Sequence, residues 1–340
     1  MLVPAPQVRE LAEGILVANG VPPDQARTQA SLFLEAEMRA IPSHGLLRLR
    51  RVIERIHSGA TVPGITGTLE WTARSFLSVE GERGLGPVVA MAALDAIIPR
   101  AQEDGIAIAA IRNANHLGAL AYYAEHVASL GLTCIALTVS EALVHPWGGR
   151  KAMIGTNPIA IGVPAEPHPM VLDMATGLVS MGKIHDHANR GAPIPLGWAL
   201  DENGDPTTDA SAAKKGAIAP FGGPKGYALG IAFEVLVSSL AGAAIGTNVK
   251  GTLDSVNPCN KGDIFIVIAP PHADAARELV SGYLDDIRSA APADPDHPVL
   301  APGDRAQRAR SQSLAKGMYI DDGLWADLQK LAAESRKEKI

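Results

Sequence analysis

The chain has 340 residues, of which 47% are apolar and 19% charged, with a formal net charge of −6. That length accommodates one large domain or two ordinary ones, and the apolar fraction supports a sizeable core and excludes global disorder. The acidic balance argues against nucleic acid as the main partner.

Only two cysteines occur, Cys134 and Cys259, both in apolar, strand-like surroundings. Two thiols make no disulfide framework, so reduced core cysteines and a cytoplasmic protein are expected. The first ten residues lack the basic and apolar regions of a secretory signal.

Residues 5–40 read as two helices. Val8, Leu11, Ile15 and Leu16 form a helical stripe, Val21-Pro22-Pro23 breaks it, and Asp24 caps a second helix running to about Arg39. Ser43 then reads as the N-cap of a helix that carries His44 and Arg48 on one face, four residues apart. A histidine passes protons near neutral pH, and an arginine grips a carboxylate through two parallel hydrogen bonds. The plain alternative is a surface helix with a capping histidine.

Residues 57–75 read as a connector, and Phe76–Glu80 as a strand. Gly84-Leu-Gly86 then opens an apolar helix to about Ile98. This is half of a dinucleotide fingerprint. Its third glycine is alanine, and Glu103 and Asp104 precede the next strand instead of ending it, so a Rossmann phosphate loop is rejected.

Gly105–Arg112 and Gly131–Ser140 are continuous apolar runs of buried-strand type, joined by a helix from Ala119 to about Leu130. His116 sits where strand turns into helix, a position from which α/β enzymes often present side chains, although a lone histidine there is more often a structural cap. Further strands are expected at Ile159–Val163, at Met170–Asp173 and at Lys261–Ile268. Asp173 breaks an apolar run and requires backbone N–H groups or a ligand hydroxyl. Lys183-Ile-His185-Asp-His187 lacks a third ligand at recognisable spacing, so no metal site is assigned. Residues 191–219, rich in turn chemistry around Trp198, read as an exposed flap.

Pro220-Phe-Gly-Gly-Pro-Lys225-Gly226 introduces an apolar segment to Gly246. A helix starting there presents free N–H groups and Lys225, which together suit an anion; the plain alternative is a turn before a buried helix. The segment is long enough to span a bilayer, but Glu234 near its middle points to a buried core helix and no membrane partner. His272–Ala290 reads as an amphipathic helix, Leu300–Arg305 as a turn, and a last helix surrounds Leu324, Trp325, Leu328 and Leu331 before a basic tail.

Taken together, Ser43-His44-Gly45 with Arg48, Asn113-x-Asn115-His116, Gly155–Pro158, Asp173-Met-Ala-Thr176, Gly197-Trp198-Ala199, Pro206–Asp209 and Pro220–Gly226 resemble the malate/L-lactate dehydrogenase family, which is unrelated to the Rossmann-type lactate dehydrogenases. The match runs in order from about residue 8 to 335. The resemblance implies a non-Rossmann α/β (α+β) fold with a central mixed or antiparallel sheet. Residues 73–290 would form that cofactor-binding domain, and residues 1–72 with 291–340 a helical one. It implies hydride transfer between NAD or NADP and a small 2-hydroxy or 2-oxo acid, in a homodimer with active sites near the subunit interface.

Carried over by position, His44 is the acid/base supported by Ser43, Arg48 binds the substrate carboxylate, and Thr156 contacts substrate. His116 lines the nicotinamide pocket and is itself the acid/base in some relatives. The implied cofactor residues are His116, Leu117, Gly118, Ala119, Leu120, Ser140, Asp173, Met174, Ala175, Lys225, Gly226, Gly303, Asp304 and Arg305. Two positions depart from the pattern: Gly177, where relatives often have serine, and Lys183, where the cyclic-ketimine reductases tend to carry an acid. The second disfavours reduction of a cyclic ketimine such as piperideine- or pyrroline-2-carboxylate, the alternative activity on this scaffold. A non-catalytic carboxylate- or nucleotide-binding protein is a third reading, and the presence of both histidines speaks against it.

Overall fold

The computed structural model describes residues 1–337; the end of the basic tail expected from the sequence, 338–340, lies outside the described residues. In chain order the elements are β1 (Leu2–Val3), α1 (Ala5–Ala18), α2 (Pro23–Met38), α3 (Leu49–His57), β2 (Thr68–Ala73), β3 (Phe76–Glu80), α4 (Gly86–Asp104), β4 (Ile106–Arg112), α5 (Ala121–Ser129) and β5 (Thr133–Thr138). There follow β6 (Ile159–Val163), β7 (Met170–Met174), α6 (Met181–Asn189), β8 (Ala199–Leu200), α7 (Ala210–Ala213), β9 (Ala217–Ile218), α8 (Pro224–Ala241), β10 (Gly262–Ile268), α9 (Ala273–Ser289), α10 (Asp304–Lys316), β11 (Met318–Tyr319) and α11 (Asp322–Lys337).

A seven-stranded mixed sheet in the order β2-β3-β4-β10-β5-β6-β7 forms the centre. Only β3 and β4 are parallel neighbours. The remaining pairs, including β10 with both β4 and β5, are antiparallel. β4 and β5, joined by α5 in the chain, are therefore separated in the sheet by a strand from far downstream.

Side chains alternate across the sheet. Phe265 and Val267 of β10 pack with Ala109, Ala136 and the buried faces of α4 and α5. Ile264 points the other way, with Ala110 and Leu137, against Val237 and Ala241 of α8. Helices cover both faces, which explains why these strands read as unbroken apolar runs. A second core joins Val8, Ile15 and Leu16 of α1 and Phe33 and Leu34 of α2 to Trp325, Leu328 and Leu331 of α11. The two ends of the described chain meet here: the N-terminal ammonium donates to Ile320 O at 2.8 Å.

Several expectations need correction. Residues 57–75 contain β2, which lies at the sheet edge and is exposed along its whole length, so burial left no alternation to read. α10 follows Pro302-Gly303 directly; none of its side chains is buried, and it carries no apolar stripe. The apolar segment from Gly226 ends as a helix at Ala241, where Gly242 takes the left-handed C-cap conformation. Among the described residues no helix is long and apolar enough to cross a membrane. Glu234 is buried inside α8, where its carboxylate accepts from Gly155 N at 3.0 Å, Asn157 Nδ2 at 2.6 Å and Gly246 N at 2.6 Å. Three donors account for a buried acid in an apolar helix.

Candidate active site

His44 and Arg48 do not share one continuous helix. The chain makes two 3-10 turns, Pro42–His44 and Leu46–Arg48, split at the buried Gly45, and α3 begins only at Leu49. A Cβ at Gly45 would overlap the carboxylate of Glu37 on α2, and that carboxylate accepts Leu46 N at 2.8 Å. Burial pushes Glu37 up to about 7, against the pull of that amide. Ser43 caps no helix. Its hydroxyl lies 3.0 Å from His44 Nδ1, and its carbonyl accepts Arg48 Nε at 2.8 Å.

The stretch between β4 and α5 brings His116 against His44. The two rings stack with centroids 5.6 Å apart at an interplanar angle of 29°. Gly118 N donates to His116 Nδ1 at 3.0 Å. An Nδ1 that accepts carries no proton, so neutral His116 holds its hydrogen on Nε2. Burial first, and Arg48 second, lower His44 to about 4. Burial, then Arg48, His44, Lys261 and Arg55, hold His116 well below the usual histidine range. Both rings are neutral at neutral pH.

His44, Arg48, His116 and Gly118 line one cavity of about 40 Å3. Arg51, Arg55 and Thr252 complete this wall, and the sequence reading missed them. The signal was available: positions 48, 51 and 55 fall on one face of a helical stretch. Arg55 is 5% exposed and fully engaged. Its Nε and Nη2 donate to Asn115 Oδ1 at 3.0 and 2.8 Å, and its Nη1 to Asp254 O at 2.6 Å. Asn115 in turn donates to Arg83 O at 2.7 Å and Gly84 O at 2.9 Å. This bracket fixes the residue next to His116.

Gly86 is the close-approach glycine of the same loop, because a Cβ there would overlap the carbonyls of His116 and Asn115. It therefore serves packing, which agrees with rejecting a phosphate loop at Gly84–Gly86. The expected result of Gly86→Ala is a kcat lowered by about 10²-fold through displacement of His116. Steady-state kinetics beside thermal unfolding checks this; an unchanged kcat in a folded variant would contradict it.

Among the remaining predicted residues, Ser140 and Thr156 are bonded to each other. Ser140 Oγ accepts Thr156 N at 3.0 Å and lies 3.2 Å from Thr156 Oγ1, while Thr156 O accepts Thr176 N at 2.7 Å and Thr176 Oγ1 at 2.9 Å. Phe221 N donates to Thr176 O at 3.1 Å, which ties the start of α8 to this group. Asp173, exposed at the end of β7, accepts Ala121 N at 2.8 Å and so marks the start of α5 just after the His116 loop. Met174 closes β7 and Ala175 follows it. Lys225 is exposed in the first turn of α8, and Gly226 is buried against Phe221 O.

Thr156, Lys225 and residues 303–305 do not line the histidine cavity. Leu117 and Leu120 bury their side chains in the core, leaving only backbone for a ligand, and Ala119 lies between them. Asp304 is occupied by Arg288, which donates to both of its oxygens at 3.0 and 2.9 Å. Gly303, at φ +95°, packs its turn against Val171 of β7, and Arg305 is exposed. Among the described residues no group of three or more His, Cys, Asp or Glu could hold a metal ion.

The family model described as malate/L-lactate dehydrogenase matches residues 3–329. A crystal structure of a dehydrogenase from Sinorhizobium meliloti superposes with a TM-score of 0.93 at 51% identity, covering 98% of each chain. The L-sulfolactate dehydrogenase of Methanocaldococcus jannaschii is 35% identical, over 98% of this chain and 97% of that protein. The ureidoglycolate dehydrogenase (NAD(+)) of Escherichia coli O157:H7 is 32% identical over 94% and 92%. A Delta(1)-pyrroline-2-carboxylate/Delta(1)-piperideine-2-carboxylate reductase of Pseudomonas aeruginosa is 33% identical over 95% and 96%. With that match spanning nearly the whole chain, and with the paired histidines and Arg48 gathered on one wall, the protein is a member of the malate/L-lactate dehydrogenase family.

Proposed function

We propose that the protein is a nicotinamide-dependent dehydrogenase interconverting a small 2-hydroxy acid and its 2-oxo acid. The observation that carries this reading is the stacked, neutral His44–His116 pair beside Arg48 on one cavity wall. Arg48 spends one N–H on Ser43 O, and its guanidinium otherwise suits the carboxylate on C1.

The cofactor group offers a matching donor set. α8 starts without a side-chain cap and on a proline, with the Lys225 ammonium in its first turn, which suits a diphosphate. The Ser140 hydroxyl and the exposed Asp173 carboxylate suit ribose hydroxyls. When bound, the nicotinamide supplies a hydride to C2 in reduction and accepts it in oxidation.

The protein's own part is position and a proton. The Nε2–H of His116, fixed by the Gly118 amide, donates to the substrate oxygen and polarises it. His44 removes that oxygen's proton in oxidation and returns it in reduction. With Nδ1–H directed at Ser43 Oγ, its Nε2 lone pair is the base. A bound carboxylate offsets Arg48 and so restores basicity to His44 in the complex.

In oxidation, kcat/KM reports the free enzyme, whose base is neutral above about 4. The expected profile is flat through neutral pH, with its acid limb near that value. For reduction, which needs the protonated ring, kcat/KM falls as pH rises above it. An acid limb for oxidation near the unperturbed histidine value of about 6.5 would contradict a desolvated His44.

Lys183 supports the hydroxy-acid reading over ketimine reduction. α6 starts beside Ser43, where a Cβ on Gly182 would stand 4.0 Å from Ser43 Cβ, and the next residue is a cation whose Nζ lies 4.8 Å from the Trp198 ring centroid. We also read residues 1–72 with 291–340 as a helical domain and 73–290 as the cofactor-binding domain, supported by the core shared between both chain ends. A homodimer is supported by α8, which leaves Leu229, Val235, Leu236 and Leu240 exposed. Two free, buried cysteines support a cytoplasmic location.

A panel of 2-oxo acids, each with NADH and with NADPH, tests the function by loss of reduced-nicotinamide absorbance. Turnover of at least one 2-oxo acid is expected, well above that of piperideine-2-carboxylate. No turnover of any would overturn the assignment.

A further inference from the structure

The wall that holds Arg48 carries a second guanidinium which the proposed reaction does not use. Arg48, Arg51 and Arg55 line the same cavity as His44, His116 and Thr252, and no aspartate or glutamate lines it. Arg55 is spent on Asn115 and on backbone carbonyls. The bond found for Arg51 runs from Nη1 to the Leu253 carbonyl, and Arg48 donates to Ser43 O; neither of these partners is an anion. Each guanidinium has five N–H donors in a planar fork, so most of this capacity faces the cavity or solvent. The two are close enough that Arg51 weakens the proton affinity of Arg48.

Two half-buried cations on one wall, without a carboxylate between them, repel each other until an anion enters. The C1 carboxylate of a 2-hydroxy acid satisfies one. Resting on the dehydrogenase reading above, we propose that Arg51 is the specificity-determining residue of this site, selecting substrates that carry a second acidic group on C3 beside the carboxylate held by Arg48. The substrate is then a dianion of the 2-oxo diacid or sulfonated 2-oxo acid class.

The loop after α8 supplies the competing partner. The cavity reaches Gly251 and Thr252 of that loop, and Arg51 is bonded to the Leu253 carbonyl beside them, so a second oxyanion on the substrate would compete with this carbonyl for Arg51. Glu141 anchors that loop from the β5 end: its Oε1 accepts Thr252 N at 2.7 Å and Leu253 N at 2.9 Å. A monoanion gives Arg51 nothing in exchange for Leu253 O, whereas a second oxyanion does.

The test compares charge at constant skeleton. With the cofactor saturating, kcat/KM is measured for oxaloacetate and sulfopyruvate against 2-oxobutyrate, in the wild type and in Arg51→Met and Arg51→Lys. The wild type is expected to prefer both dianions, and Arg51→Met to reduce that preference by about 10- to 100-fold through KM, as expected for a charge-assisted pair. Arg51→Lys restores part of it. An equal loss for mono- and dianions, or no wild-type preference, overturns the proposal while leaving the dehydrogenase reading intact. A preference for one dianion alone identifies which acidic group the site takes.

Equilibrium binding separates the two claims. Succinate is expected to raise the Tm of the cofactor-loaded enzyme more than butyrate does, and this difference disappears in Arg51→Met. Equal shifts from both acids in the wild type sink the proposal even if no 2-oxo acid is turned over.

Discussion

Replacing His44 with alanine is expected to lower kcat by about 10²- to 10⁴-fold, the usual contribution of a positioned acid/base. The side chain stands on a short turn held by Gly45 over Glu37 and by Arg48 Nε on Ser43 O, so its removal leaves the wall otherwise intact. KM for the acid should change little, because the proposed carboxylate partner, Arg48, is kept. The acid limb of the oxidation profile should disappear with the ring. His116→Ala is expected to lose about 10²- to 10³-fold, as for one preorganised hydrogen-bond donor, with the limb near 4 retained. If the limb survives in His44→Ala and vanishes in His116→Ala, the two roles are reversed.

The largest stability effect is expected beneath the site. Lys261, the residue just before β10, and Asp263 within it are 2% and 0% exposed, with Nζ bonded to Oδ1. The carboxylate's other oxygen, Oδ2, is buried with no partner. Burial raises Asp263, and Lys261 opposes that rise. Asp263→Ala leaves an uncompensated ammonium in the core, so a loss of about 3–5 kcal/mol is expected. Lys261→Met with Asp263→Leu removes both charges and is expected to recover most of it, since two buried charges cost desolvation that an apolar pair does not. Urea unfolding midpoints of the three proteins measure this. A double variant as destabilised as Asp263→Ala alone would contradict the unpaired ammonium as the source of the loss.

Much of the fold was legible because burial writes a period into the sequence. β4, β5 and β10 read correctly as two-sided strands, and α1 and α2 as amphipathic helices, since each carries apolar residues where it meets a neighbour. β2 and α10 were missed because they bury nothing. The insertion of β10 between β4 and β5 has no local signature, since strand order depends on contacts far apart in sequence.

The candidate site was legible in part. His44, Arg48 and His116 were named from motif and spacing, yet what brings them together lies elsewhere: Gly86 lets α4 approach the His116 carbonyl, and Arg55 brackets Asn115. The Nε2–H tautomer of His116 depends on one amide donor and could not be read from residue order. Asp304 reads as a ligand residue in the motif, but Arg288, sixteen positions earlier, occupies it.

The most direct measurement follows the hydride itself. The protein is incubated with a 2-oxo acid and reduced nicotinamide carrying deuterium at both C4 positions, and the product is examined by mass spectrometry and NMR. The account predicts one deuterium on C2 of a 2-hydroxy acid, formed about 10²- to 10⁴-fold more slowly when His44 is alanine. Deuterium found only in a cyclic amino acid made from piperideine-2-carboxylate, or no transfer to any 2-oxo acid, would contradict it.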